Sequence, residues 1–169
     1  MPRFSMLFAP AILAAASLPV GAAEPNPQID YDSFVALTAS LAEVREAHRL
    51  PWPQFIEAAR ANGAILLDTR SAAAFEDGHI AGAINLPFSD FTAAKLGDVL
   101  GPPGKRPVYI YCNNNFRDDV PPVALKRAPL ALNIPTFINL HGYGYTEVWE
   151  LADQLSIARL GPAWTGEAG

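Results

Sequence analysis

Three short, mostly apolar runs restrict the folds open to this chain: Ala64-Ile65-Leu66-Leu67, Ala83-Ile84-Asn85-Leu86 and Val108-Tyr109-Ile110-Tyr111. A run without polar alternation is what a strand buried on both faces requires, and such strands belong to parallel sheets. The segments between them have helical character. Residues 71–77 open with the capping residue Ser71 and stop at Gly78, and 90–100 stop at Gly101-Pro102-Pro103-Gly104. Upstream, Phe34, Leu37, Leu41 and Val44 recur three or four apart and predict a helix from Asp32 to the stop at Pro51. A second helix is expected over 54–61, opening after Pro53. Downstream, the pattern predicts a helix over 123–127, a strand over 136–140 and a helix over 146–155 with Val148, Leu151, Ala152 and Leu155 on one side. Alternating strands and helices specify an α/β fold, a small mainly parallel sheet flanked by helices on both faces, with an extra N-terminal helix. Ligands in such sheets bind beyond the carboxyl ends of the strands. Three expected strand ends carry chemistry: Asp68 with Arg70, Cys112, and His141 with Gly142.

The 169 residues suit one domain with extensions, and a 50% hydrophobic content excludes a disordered chain. Twelve basic against seventeen acidic residues argue against nucleic acid as a partner. One cysteine excludes an internal disulfide and a cysteine-rich zinc site, and no metal or cofactor is expected. At the front, Arg3 precedes the uncharged run MLFAPAILAAA, and Gly21-Ala22-Ala23 supplies small residues before Glu24. That order predicts a secretory signal over 1–23, cleaved after Ala23, and a periplasmic or secreted product free of the membrane. The competing reading is a membrane anchor, but the run over 4–20 is short of the ~20 residues a span needs and holds Pro10. The expected organisation is then a linker and helix over 24–52, the α/β domain over 53–155 and a tail over 156–169.

An unpaired thiol in an oxidising compartment is either reactive by design or a buried small hydrophobe. Three blocks bear on the choice: Leu66-Leu67-Asp68-Thr69-Arg70 followed by Phe75, then Gly78-His79-Ile80-Ala81-Gly82-Ala83-Ile84-Asn85-Leu86-Pro87, then Val108-Tyr109-Ile110-Tyr111-Cys112 with Arg117 five places on. In order and spacing these blocks resemble the rhodanese-like (sulfurtransferase) family, from about Pro53 to Leu155. The resemblance implies a small parallel α/β domain in which Cys112 is the nucleophile. Cys112 would take the outer sulfur of a donor such as thiosulfate, hold it as a persulfide and pass it to a thiophilic acceptor. Asn113, Asn114, Asn115, Phe116 and Arg117 would then form the donor-binding loop. Its N–H groups would make a nest that lowers the thiol pKa, and the three asparagines tolerate the left-handed angles such a loop uses.

Each residue has a plainer alternative. Arg117 either binds the donor anion or pairs with Asp118 or Asp119 at the surface. Those two carboxylates, if they face the pocket, repel an anionic donor. Asp68 and Arg70 are expected to fix the first strand end behind the loop. His79 is expected to pack, and His141 either approaches the strand ends or is a turn residue; Tyr143 and Tyr145 either wall the pocket or belong to the core. A phosphatase or arsenate reductase would need five residues between cysteine and arginine, whereas four intervene here. A weak or inactive module that binds or delivers sulfur for a partner protein is the remaining alternative. A thiol hydrolase using Cys112 and His141 lacks an orienting third group.

Overall fold

The computed structural model describes residues 26–118 and 123–166. The chain divides into two units, Met1–Asp30 and Tyr31–Gly169. The expected signal over 1–23 lies outside the described residues. In the first unit, Asn26 holds a turn, its side chain accepting from Gln28 N at 2.9 Å and its carbonyl from Ile29 N at 3.0 Å. No helix among the described residues is long and apolar enough to cross a membrane.

The second unit is built on five parallel strands: β1 (Arg49–Leu50), β2 (Ile65–Asp68), β4 (Ile84–Asn85), β5 (Val108–Tyr111) and β6 (Val148–Leu151). Their order across the sheet is β1-β6-β5-β2-β4. Two further strands, β3 (Gly78–Ile80) and β7 (Trp164–Gly166), pair antiparallel beside it. Helices are α1 (Tyr31–Ser40), α2 (Ala42–Ala47), α3 (Trp52–Ala59), α4 (Ala72–Asp77), α5 (Ala93–Leu100) and α6 (Asn133–Gly142).

The strand pleat sorts the core into two layers. Ile65, Leu67, Val108, Ile110 and Val148 face Leu41, Leu96, Leu100 and the Phe137, Ile138 and Leu140 of α6. Leu66, Tyr109, Tyr111 and Leu151 face Phe55 and Ala59 of α3 together with Leu160 and Trp164. Helices therefore cover both faces, as a parallel sheet demands.

Three downstream expectations are corrected. Residues 136–140 are the middle of α6, not a strand. Thr136, Phe137, Ile138 and Leu140 are all buried, and an all-round apolar helix shows the same unbroken run as a buried strand. Residues 148–151 are β6, not part of a helix, because this segment fills the slot between the edge strand β1 and β5. Residues 123–127 form no helix; they run without regular structure and are tied to the loop after β5. The N-terminal helix is two helices meeting at Leu41, which is buried whereas Phe34 and Val44 stay exposed. Beyond Leu155 the chain is structured: Gly166 of β7 passes so close to Asp77 O that a Cβ there would lie 2.3 Å from it, at a φ of +115° that glycine alone adopts readily.

Candidate functional site

β5 delivers Cys112 to the carboxyl end of the sheet, where the chain turns through a 3₁₀ turn at Asn113–Asn115. Asn115 is the hub of this turn. Its buried side-chain oxygen accepts from Cys112 N at 3.0 Å and from Asn133 Nδ2 at 2.7 Å. Its Nδ2 donates to Leu151 O at 2.7 Å and to Asp153 O at 3.1 Å. One amide thus joins the loop to α6 and to the end of β6. Asn114 clamps the other side, donating to Lys126 O at 2.7 Å and accepting from Lys126 N at 3.2 Å.

Of the loop N–H groups, those of Asn113 and Asn115 reach the Cys112 sulfur, Asn115 N being shared with a carbonyl, and those of Phe116 and Arg117 are spent elsewhere. Asn115 N and Phe116 N bond the carbonyls of Cys112 and Asn113, and Arg117 N bonds Leu155 O at 2.8 Å. No non-glycine residue among those described has positive φ, so the asparagines adopt no left-handed angles. Arg117 is exposed and donates from Nη2 to Gln154 O at 2.9 Å, away from the cysteine. Phe116 is fully buried, edge-on to Tyr111 and Trp164, and belongs to the core. Asp118 also turns from the site: its carboxylate accepts Ile157 N at 2.7 Å and the Ser156 hydroxyl at 3.4 Å. Asp119 lies outside the described residues.

Cys112 is fully buried. Burial pushes its thiol up to about 11, and the nearby Asp68 charge adds to this. The N–H groups of Asn113 and Leu132 and the Arg70 charge pull the other way without prevailing.

Behind the cysteine, Asp68 and Arg70 form an ion pair with side chains 0% and 1% exposed. Arg70 reaches the carboxylate from Nε at 3.0 Å and from Nη2 at 2.7 Å, and Nη2 also donates to Gly78 O at 2.6 Å. The rings of Tyr111, Phe116 and Trp164 surround its guanidinium at 5.8–5.9 Å. Burial opposes the charge, but the contacts with Asp68 outweigh it and raise the Arg70 pKa. Such a pair is costly to break from one side. Both residues lie at the end of β2, near enough to Cys112 for their charges to act on it.

His141 does not approach the site. It ends α6, and the following residues enter the amino end of β6, with Val108 N bonding Glu147 O at 2.8 Å. The imidazole therefore stands toward the amino end of the sheet, stacked on Phe137 with Nδ1 against Phe137 O at 3.0 Å. Burial lowers its pKa. His79 packs as expected, stacked on Phe75 at 3.7 Å. Tyr145 is core, its hydroxyl on Gly101 O, and Tyr143 is exposed.

A cleft of about 530 Å³ opens at this end of the sheet. Thr69, Ser71, Pro87, Phe88, Ser89 and Asp90 contribute to it, as do Asn113, Lys126 and Leu132 from the loop region. Asn113 and Leu132 are also the residues whose N–H groups reach Cys112, so the thiol lies directly beneath the cleft. Lys126, Leu132, Asn133 and Asp90 were not marked out by sequence. Lys126 had one available signal, as a basic residue shortly after the cysteine loop. No group of histidine, cysteine or carboxylate side chains that could hold a metal occurs among the described residues.

Three solved structures are similar to this chain. A protein from Bacillus halodurans is 14% identical with a TM-score of 0.52, covering 80% of this chain and 87% of that one. A Rhodanese_3-like domain from Anabaena sp. is 20% identical with a TM-score of 0.42, covering 62% and 94%. A full-length protein from Lactobacillus plantarum is 18% identical with a TM-score of 0.49, covering 79% and 99%. No curated protein matches the chain. The family description "Rhodanese-like domain" matches residues 53–153, which contain the β2–β6 frame, the buried Asp68–Arg70 pair and Cys112. The chain therefore belongs to the rhodanese-like domain family.

Proposed function

We propose that the protein transfers sulfane sulfur through a Cys112 persulfide, taking it from a small donor in the cleft and passing it to a thiophilic acceptor, small molecule or protein. One observation carries this reading: the sole cysteine ends a central strand directly beneath a cleft, with the N–H groups of Asn113 and Leu132 on its sulfur. Those two donors stabilise a thiolate or a persulfide anion. Arg117, turned toward Gln154 O, supports neither a phosphatase cradle nor an anion-binding role. The apolar run and Ala23 site at the amino end support export to the periplasm or beyond.

The burial of Cys112 favours a second reading, a module that accepts sulfur only when a partner displaces the residues over the thiol. Intact mass spectrometry after incubation with sulfane donors tests the first reading. A gain of one sulfur atom, removed by cyanide and absent in Cys112→Ser, is the expected result. No gain with the isolated protein, but a gain with an extract fraction present, favours the second. Mapping the amino terminus of the exported product tests cleavage after Ala23.

A further inference from the structure

The cleft above Cys112 is unlike a receptor for a small dianion. Its volume of about 530 Å³ falls in the range of pockets that hold organic ligands, far more than a thiosulfate ion fills. Arg70 belongs to its lining, but the guanidinium is committed to Asp68 and Gly78 O. Among the described residues, the charged side chains left to face a ligand are Lys126 and Asp90, one of each sign. Among the described residues neither takes part in an ion pair. Ser89 Oγ donates to Asp90 Oδ1 at 3.0 Å, which holds the carboxylate in place. The Asn114 clamp holds the Lys126 backbone in the same way.

A third feature selects between ligands. Asn113 Oδ1 is buried, lies in the cleft lining and has no hydrogen-bond partner among the described residues. A buried acceptor without a donor carries a desolvation cost that a ligand N–H relieves. Thiosulfate has no N–H to offer. It would leave Asn113 unpaired and meet the Asp90 carboxylate as a like charge.

We infer that the donor is the hydropersulfide of a small amino-thiol acid, its ammonium received by Asn113 and Asp90 and its carboxylate by Lys126. This rests on the proposed persulfide role of Cys112 and names its substrate class. In the step, the Cys112 sulfur attacks the outer sulfur of R–S–SH and a new S–S bond forms. The original S–S bond breaks, and R–S⁻ leaves with the electron pair and takes up the proton that Cys112 gave up. The products are R–SH and Cys112–S–SH, with no net oxidation or reduction.

The test compares three donors by the rate of one-sulfur mass gain on the full protein: cysteine hydropersulfide, the hydropersulfide of 3-mercaptopropionate, which lacks the amine, and thiosulfate. The expected result is loading from cysteine hydropersulfide at least tenfold faster than from the amine-free analogue, with thiosulfate slowest. Asp90→Asn and Asn113→Ala should each shrink that preference severalfold, whereas Lys126→Gln should slow both carboxylate-bearing donors alike. Asp90 and Lys126 are exposed, so their substitution spares the fold. Equal loading by the first two donors, or a preference untouched by Asp90→Asn, overturns the donor assignment and leaves the persulfide role standing. Failure of every donor to load Cys112, both alone and with an extract fraction present, overturns both.

Discussion

Cys112 holds the one thiol of the sequence, at a point that solvent does not reach. A thiol raised to about 11 is ionised to about a thousandth at pH 8. Iodoacetamide should therefore label it slowly in the native protein, with a pH profile rising well above the ordinary cysteine range, and rapidly once the chain is unfolded. Leu132→Ala should speed native labelling severalfold by removing side-chain cover from the cleft over the sulfur; an unchanged rate would show that other residues bar access. Asn115 belongs to the same scale but governs stability. Replacing it by Ala strands Cys112 N, Asn133 Nδ2 and two carbonyls at once. Each buried unpaired group costs about 1–3 kcal/mol, so a loss of at least ~2 kcal/mol is expected in urea unfolding. The place of Cys112 was legible because the unbroken apolar run before it marks the buried strand β5. The roles of Arg117 and Asp118 were not. Spacing gives their distance from Cys112 along the chain, but the bridge of Phe116 to Leu155 turns both side chains toward the carboxyl-terminal segment.

At the scale of elements, the order β2, α4, β4, α5, β5 was readable because each strand is a short apolar run bounded by a cap, glycine or proline. Beyond Cys112 that grammar fails. Helix α6 is buried nearly all round, so it lacks the polar face that marks a helix. Strand β6 carries Glu150, 3% exposed, which is bearable only because Arg45 of α2 meets it at 2.6–2.7 Å, a contact 105 residues distant in sequence. β7 had no local signal either, since its reason for existing is the groove beside β3. Its Trp164 lies against Gly78, where a Cβ would come within 2.7 Å of the indole, and covers Arg70 and Phe116. Trp164→Ala should cost about 3–5 kcal/mol, the usual range for emptying such a site. Circular dichroism during urea unfolding would measure it. A loss below ~1 kcal/mol would mean that β7 is an appendage and not a clasp on the Asp68–Arg70 pair.

At the scale of the whole molecule, the groups held neutral inside the sheet make the fold sensitive to alkali. Burial raises Cys112 to about 11 and Tyr111 well above its ordinary value. In both cases the unfolded chain gives up its proton before the folded chain does. The folded state then binds more protons than the unfolded one, and stability falls as pH rises. The Cys112 contribution is complete below the ordinary cysteine pKa and is lost through the interval up to about 11. A shift of about two units corresponds to about 2–3 kcal/mol. Tyr111 acts in the same direction above the ordinary tyrosine range, and its hydroxyl, which accepts Ile80 N at 3.0 Å, ties β5 to β3. Urea midpoints should thus be flat from neutral pH to about 8.5 and decline steeply by pH 10.5. Cys112→Ser separates the two groups, because serine does not ionise there. Its decline between pH 9 and 11 should be shallower than that of the wild type by most of the cysteine contribution, with the tyrosine part retained. Parallel curves for the two proteins would show that the sulfur ionises as freely in the folded state as in the unfolded one. The loop would then hold a ready thiolate, and Cys112 would need no opening of the residues above it to react.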